Sequence, residues 1–322
     1  MTDTYPPPNI GLDLIRVTEA TALTAGRWLG LGNRDAAHRA VTEAMYEALS
    51  TVDIDGYVVI GEEGRLGKDT RLNTGHQVGT GKGPKVDVVL DPIDGTTSVV
   101  NGHPGAISVV GIAPHGSMWS AQAGVYMDKI VVDHEAAAYL VAECMDAPAA
   151  WTLALVARAK KKNVRDLQVI VLDRPRHQDL IEEIRTAGAR VLLQADGDTA
   201  GALIAATPNH RADLLMGVGG VPEGITAACA VKAMGGAMLG RLAPQSEAER
   251  EAIVLAGIDT QHILTCDEMI VSNKIFFAVT GVTDGPLLAG VQYHGHTAKT
   301  HSLLIRAETG TRRTLRTEHF IE

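Results

Sequence analysis

The spacing of apolar residues changes period near residue 50, and that change separates two helices from the first strands. From Leu12 to Leu29 the spacing is helical, with Leu12 and Ile15 followed by Ala22, Leu23 and Trp28. Gly30-Leu31-Gly32 stops that helix, and Asn33 is placed to cap a second one running to about Leu49. Tyr57-Val58-Val59-Ile60 is then a short β-branched run ending in Gly61-Glu62-Glu63, which predicts a buried strand opening into a loop. The Gly-rich, polar stretch 64–84 reads as a loop or weak hairpin. Val86-Asp87-Val88-Val89-Leu90 predicts the next strand, running directly into Asp91. Further strands are expected at 106–112, 121–126 and 129–132.

From about residue 164 strands and helices alternate. Strands are expected at 167–172, 190–193 and 213–216, with helices at 178–187, 199–206 and 223–234. Alternation of this length predicts a layered α/β domain. The polar run from Arg158 to Arg165 is the best linker, dividing the chain into 1–160 and 161–322, and Lys160-Lys161-Lys162 reads as a solvated face. No internal repeat is visible.

Composition narrows the function classes. The 322 residues are 45% hydrophobic and 21% charged, enough for a real core, although only 4% are aromatic. With 29 basic against 38 acidic residues the net charge is −9, which argues against a sequence-independent grip on nucleic acid. Cys144, Cys229 and Cys266 have neither disulfide-framework nor metal-ligand spacing and suit a reducing compartment. The start, Met1 to Pro8, lacks the order of a signal peptide, and no run of 18 apolar residues exists. The expectation is a soluble cytoplasmic protein without a membrane partner.

Asp91-Pro92-Ile93-Asp94-Gly95-Thr96-Thr97 carries the sharpest chemical signal. Asp91 ends a strand, at the sheet edge where α/β proteins place ligands. Pro92 locks φ, and Asp94 returns a second carboxylate to the same spot, a natural pair for a hard divalent cation. Gly95 leaves the backbone open to a phosphate, and Thr96 offers a hydroxyl beside N–H groups that are free if a helix begins there. The bland alternative is an ordinary Asp-Gly turn. By contrast, Gly217-Val218-Gly219-Gly220 is no dinucleotide fingerprint, because Pro222 stands in the place of the third glycine.

The Asp91–Thr96 run resembles the signature of the metal-dependent, lithium-sensitive sugar and inositol phosphatases. The rest of the chain is similar to the bacterial class II fructose-1,6-bisphosphatases, through Arg16-Val17-Thr18-Glu19, Ile60-Gly61-Glu62, Tyr126-Met127-Asp128-Lys129, Asp173-Arg174-Pro175-Arg176-His177, Asp196-Gly197-Asp198 and Gly220-Val221-Pro222-Glu223. The resemblance implies a layered αβαβα fold in two halves with the active site between them. It implies metal ligands at Glu62, Asp91, Asp94 and Glu223, holding Mn²⁺ or Mg²⁺, with Glu62, Asp91 and Thr96 in catalysis. Thr96 would be either a relay for the attacking water or the nucleophile itself. Asp94, Gly95, Thr96, Tyr126, Arg174, Pro175, Arg176, Asp196, Gly197, Asp198 and Gly220 would bind a sugar bisphosphate, with Lys129 nearby. The two arginines suit a phosphate, because a guanidinium presents paired donors.

Two stretches depart from the family pattern. Gly32-Asn33-Arg34-Asp35-Ala36-Ala37-His38 has Arg34 in place of a lysine and His38 in place of a ligand aspartate. Glu62-Glu63-Gly64-Arg65 lacks the usual further acids. His38 is either a ligand that shifts preference toward Mn²⁺ or a plain helix-face residue. The activity implied is release of the 1-phosphate of fructose 1,6-bisphosphate in gluconeogenesis by a homo-oligomer. The alternatives are a dual enzyme that also takes sedoheptulose 1,7-bisphosphate, and a sugar-phosphate sensor without turnover.

Overall fold

A computed structural model of the chain describes residues 10–62, 70–120 and 124–321. Helices α1 (Gly11–Gly26) and α2 (Arg34–Leu49) come first, the second capped by the Asn33 side chain, which accepts from the Ala36 N–H at 3.1 Å. Strands β1 (Asp55–Ile60), β2 (Gln77–Val78) and β3 (Lys85–Asp94) follow, then α3 (Thr96–Asn101) and β4 (Ile107–Pro114). The chain next builds β5 (Tyr126–Val132), α4 (Ala149–Lys160), β6 (Gln168–Leu172), α5 (Gln178–Thr186), β7 (Arg190–Gln194), α6 (Asp198–Ala206), β8 (Leu214–Gly220) and α7 (Val221–Met234). It continues through β9 (Ala237–Leu242), α8 (Glu247–Leu255), β10 (Leu264–Thr265) and α9 (Cys266–Met269). It ends with β11 (Phe276–Gly281), β12 (Gln292–His294), β13 (Thr297–Arg306) and β14 (Thr311–Phe320).

Two mixed sheets result. One runs β12-β13-β11-β4-β3-β1-β2, with β14 also paired to β13; the other runs β10-β9-β5-β8-β6-β7. Three apolar clusters glue five layers together. Leu14, Met45 and Leu49 of α1 and α2 pack on one face of the first sheet, against Val58, Val88 and Ile112. Leu153 and Ile184 of α4 and α5 pack on the outer face of the second, against Val169 and Leu214. Between the sheets lie α6 and α7, whose small side chains, such as Ala202, Ala205, Ala227 and Ala230, meet Val89 and Val109 from one side and Met127 and Leu215 from the other. The order α-β-α-β-α is the layered fold the sequence implies. No helix among the described residues is long and apolar enough to cross a membrane.

Several local expectations change. Arg158 to Lys160 form the last turn of α4 rather than a linker, and Lys160 is not solvated. Its Nζ is buried 2.5 Å from Asp133 and 3.7 Å from Asp213, because these two buried acids, next to the ends of β5 and β8, need a cation. Residues 121–123 of the expected strand 121–126 lie outside the described residues, and Tyr126 instead opens β5, which runs unbroken through the expected strand 129–132. Most of the departure at Glu62-Glu63-Gly64-Arg65 also lies outside them. Sheet membership does not change at residue 160: β5 already belongs to the second sheet, and β11 to β14 return to the first.

Candidate active site

The Asp91–Thr97 turn forms where β3 ends. Its pairing with β4 shifts register between Asp91 and Asp94, so the strand bulges there and turns both carboxyls out of the ladder. Asp91 Oδ1 accepts from the Ile93 N–H at 3.0 Å, and the Thr96 hydroxyl donates to the Ile93 carbonyl at 3.3 Å. Gly95 has φ of 102°, a left-handed conformation that lets α3 start at Thr96. Two bonds tie this turn to the segment that follows β7. Asp94 Oδ2 accepts from the Ala200 N–H of α6 at 2.8 Å, and the Thr97 N–H donates to Asp196 Oδ2 at 3.1 Å.

The opposite wall grows from the ends of β6, β7 and β8. Arg174 donates to the Ala195 carbonyl at 2.5 Å and to Asp196 Oδ1 at 3.1 Å. Arg176 donates from Nε and Nη2 to the Val218 carbonyl at 3.1 and 2.7 Å, and its guanidinium lies 5.3 Å from the Tyr126 ring centre. Pro175 starts the short 3-10 turn that carries Arg176. Gly197, with φ of 88°, precedes Asp198 at the start of α6. Asp198 is buried against the Lys129 ammonium, itself fully buried. Gly219 and Gly220 leave room for these acids: a Cβ at Gly219 would fall on Asp198, and one at Gly220 on Glu223.

These side chains open on one cleft of about 390 Å³. Asp91, Asp94, Gly95 and Thr96 line it on one side, and Tyr126, Arg174, Arg176, Asp196, Gly197, Asp198, Gly220 and Glu223 on the other. Pro175, Glu62 and His38 are not part of its lining. Glu62 lies two residues beyond Ile60, the last residue of β1, which pairs with Val89, two residues before Asp91 on β3. It is 1% exposed, with its Oε2 2.6 Å from Nε2 of the buried His38.

Residues 8–319 match the family model described as bacterial fructose-1,6-bisphosphatase, glpX-encoded. The chain belongs to this family. It is 34% identical over 326 residues to the fructose-1,6-bisphosphatase class 2 of Haemophilus influenzae, covering 97% of this chain and 96% of that protein. The same identity and coverage hold for the fructose-1,6-bisphosphatase 1 class 2 of Escherichia coli.

The electrostatics suit the divalent ion this family requires. Burial holds the Asp94 carboxyl well above its usual range, and the charge of Asp91 pushes it further; the Ala200 N–H opposes this, while Asp198 and Glu223 add to it. An acidic cluster of this kind is relieved by a hard cation with oxygen ligands, so the donor chemistry fits a divalent ion. Among the described residues no three His, Cys, Asp or Glu side chains are gathered closely enough to hold an ion between them. Arg34, the first residue of α2, also lines the cleft. The sequence marked it only as a family departure, although Asn33 as a helix cap was the signal that Arg34 starts a helix. His177, quoted only as part of the Asp173–His177 stretch, was given no role because nothing local shows its partners.

Proposed function

We propose that this chain hydrolyses the 1-phosphate of fructose 1,6-bisphosphate, with Mn²⁺ or Mg²⁺, as a step of gluconeogenesis. The observation that carries the reading is the one cleft that brings Asp91, Asp94 and Glu223 together with Arg174 and Arg176. An acidic group alone would repel a phosphate, and an arginine pair alone would bind one without turnover.

Asp91, Asp94, Glu223 and Glu62 are the residues to hold the ions, with His38 reaching them through Glu62 or as a ligand itself. Once bound, the metal supplies charge neutralisation for the phosphoryl group and acidifies a bound water. The rest falls to the protein. Glu62, with His38 Nε2 at 2.6 Å, is the carboxylate to take the water's proton. Thr96 stands at the start of α3, as relay or nucleophile, where backbone N–H groups favour an anion. Arg174 and Arg176 receive the distal phosphate, while Asp196 and Asp198 accept from sugar hydroxyls beside Tyr126, Gly197 and Gly220, and Pro175 sets the turn. A cytoplasmic homo-oligomer belongs to the same reading.

The test is phosphate release from fructose 1,6-bisphosphate, sedoheptulose 1,7-bisphosphate and inositol 1-phosphate, each with Mn²⁺ or Mg²⁺. Turnover of the fructose substrate that disappears in Asp91→Ala supports the proposal. Binding without turnover of any substrate overturns it in favour of a sensor. Comparable turnover of both bisphosphates makes the enzyme dual.

A further inference from the structure

The second sheet splits where the cleft opens. β6 and β8 pair in parallel only at Val169–Leu214 and Ile170–Leu215. Beyond those pairs β6 stays bonded to β7 as far as Leu172, and β8 stays bonded to β5 as far as Gly220, so the ladder parts along one line. The His177 side chain, 2% exposed, fills the parting. Its Nδ1 lies 2.7 Å from the Leu172 carbonyl of β6, and its Nε2 lies 2.9 Å from the Val218 N–H of β8.

These partners assign the ring's proton. A carbonyl can only accept, so Nδ1 carries the hydrogen; an amide N–H can only donate, so Nε2 carries a lone pair. The imidazole therefore bridges the two strands only when neutral. Gly217, with φ of 124°, makes space for it, since a Cβ there would come within 3.0 Å of the ring. The next feature links this wedge to the cleft. Val218 is held twice by neighbouring residues: its N–H by His177 and its carbonyl by both donors of Arg176.

We infer that His177 is a positioning residue that holds Arg176 for the substrate's distal phosphate, and that protonating its ring releases Arg176 and weakens substrate binding. The inference rests on the proposed role of Arg176. A proton on Nε2 would set a donor against the Val218 N–H, so the strand parting would lose one of its two bridges. Burial lowers the ring's proton affinity; the Leu172 bond opposes this, Arg176 and Lys129 lower it further, and Asp198 raises it. The sign follows: the neutral, bridging form prevails at neutral pH, and it is lost as pH falls through a value below the ordinary 6.5.

The experiment is the KM and kcat of the whole metal-loaded protein for fructose 1,6-bisphosphate across about pH 5 to 8. Wild type, His177→Gln, His177→Phe and Arg176→Ala are compared, so titration of the substrate's own phosphates cancels. Gln offers an acceptor to Val218 but takes no proton. His177→Gln should keep its neutral-pH KM within about threefold and flatten the acid-side rise, with kcat little changed. His177→Phe, which fills the parting without bonds, should raise KM about tenfold at every pH. A rise in His177→Gln equal to that of wild type overturns the inference. So does ¹⁵N NMR of the ring in the wild-type protein, if it shows the proton on Nε2 at neutral pH; a proton on Nδ1 supports it. If Arg176→Ala leaves KM unchanged, the phosphate-binding reading of Arg176 has failed instead.

Discussion

The two walls of the cleft are built in opposite ways. The Asp91–Thr97 wall is a local turn: its carboxyls come from one short stretch, and its internal bonds span two or three residues. The arginine wall is assembled from three strand ends, with contacts such as Arg176 to Val218 spanning 42 residues. Two bonds, Asp94 to Ala200 and Thr97 to Asp196, join wall to wall. The lesson is a division of labour. The Asp91–Thr97 wall should govern the chemical step, and the arginines of the other wall should govern affinity.

The strongest way to break that division is Asp94→Asn, which keeps the size and the Ala200 bond but removes charge. Activity should fall about a thousandfold, through kcat, in steady-state phosphate release. A loss confined to KM would mean the walls do not divide as described. The next effect is on stability. Lys129→Met leaves Asp198 buried without its cation and should cost about 3–5 kcal/mol, read by denaturant unfolding. A cost below about 1 kcal/mol would mean Asp198 is solvated rather than held.

A smaller change sharpens the affinity side. Arg174→Ala should raise KM about tenfold and leave kcat nearly unchanged, because it removes one charged donor from the arginine wall. The smallest effect concerns metal and pH. The raised Asp94 pKa stabilises the metal-free fold while its proton is bound, and that contribution is lost as pH rises through the raised value. A divalent ion replaces the proton, so the gain in Tm on adding Mn²⁺ should grow by a few degrees from about pH 5 to 8. An equal gain at every pH would show that Asp94 carries no proton for the metal to displace.

What was legible in the sequence follows the same division. The acidic turn could be read residue by residue, since a strand, Pro92, Gly95 and two aspartates specify it over seven positions. The alternating elements and the five layers were legible too, from period and from family order. Partners distant along the chain were not. Lys160 looked solvated because Asp133 and Asp213 are 27 and 53 residues away, and apolar period says nothing of them. His38 reads as a helix residue until Glu62, 24 residues on, is folded against it. The strand β14 alternates half-buried and exposed positions, yet most of them are polar, as in Thr311-Arg312-Arg313-Thr314, so it carries no apolar signal.

The middle layer of the sandwich works as a shim. Within it, Gly201 already stands so near Leu215, and Gly224 so near Met127, that an added methyl would come within 2.9 and 2.8 Å of them. At these two positions the helices of the middle layer have no room for a longer side chain. Lengthening a side chain there would pry the sheets apart and respace two walls whose own residues were untouched. In this molecule the distance between the two sheets depends in part on glycines that line no part of the cleft.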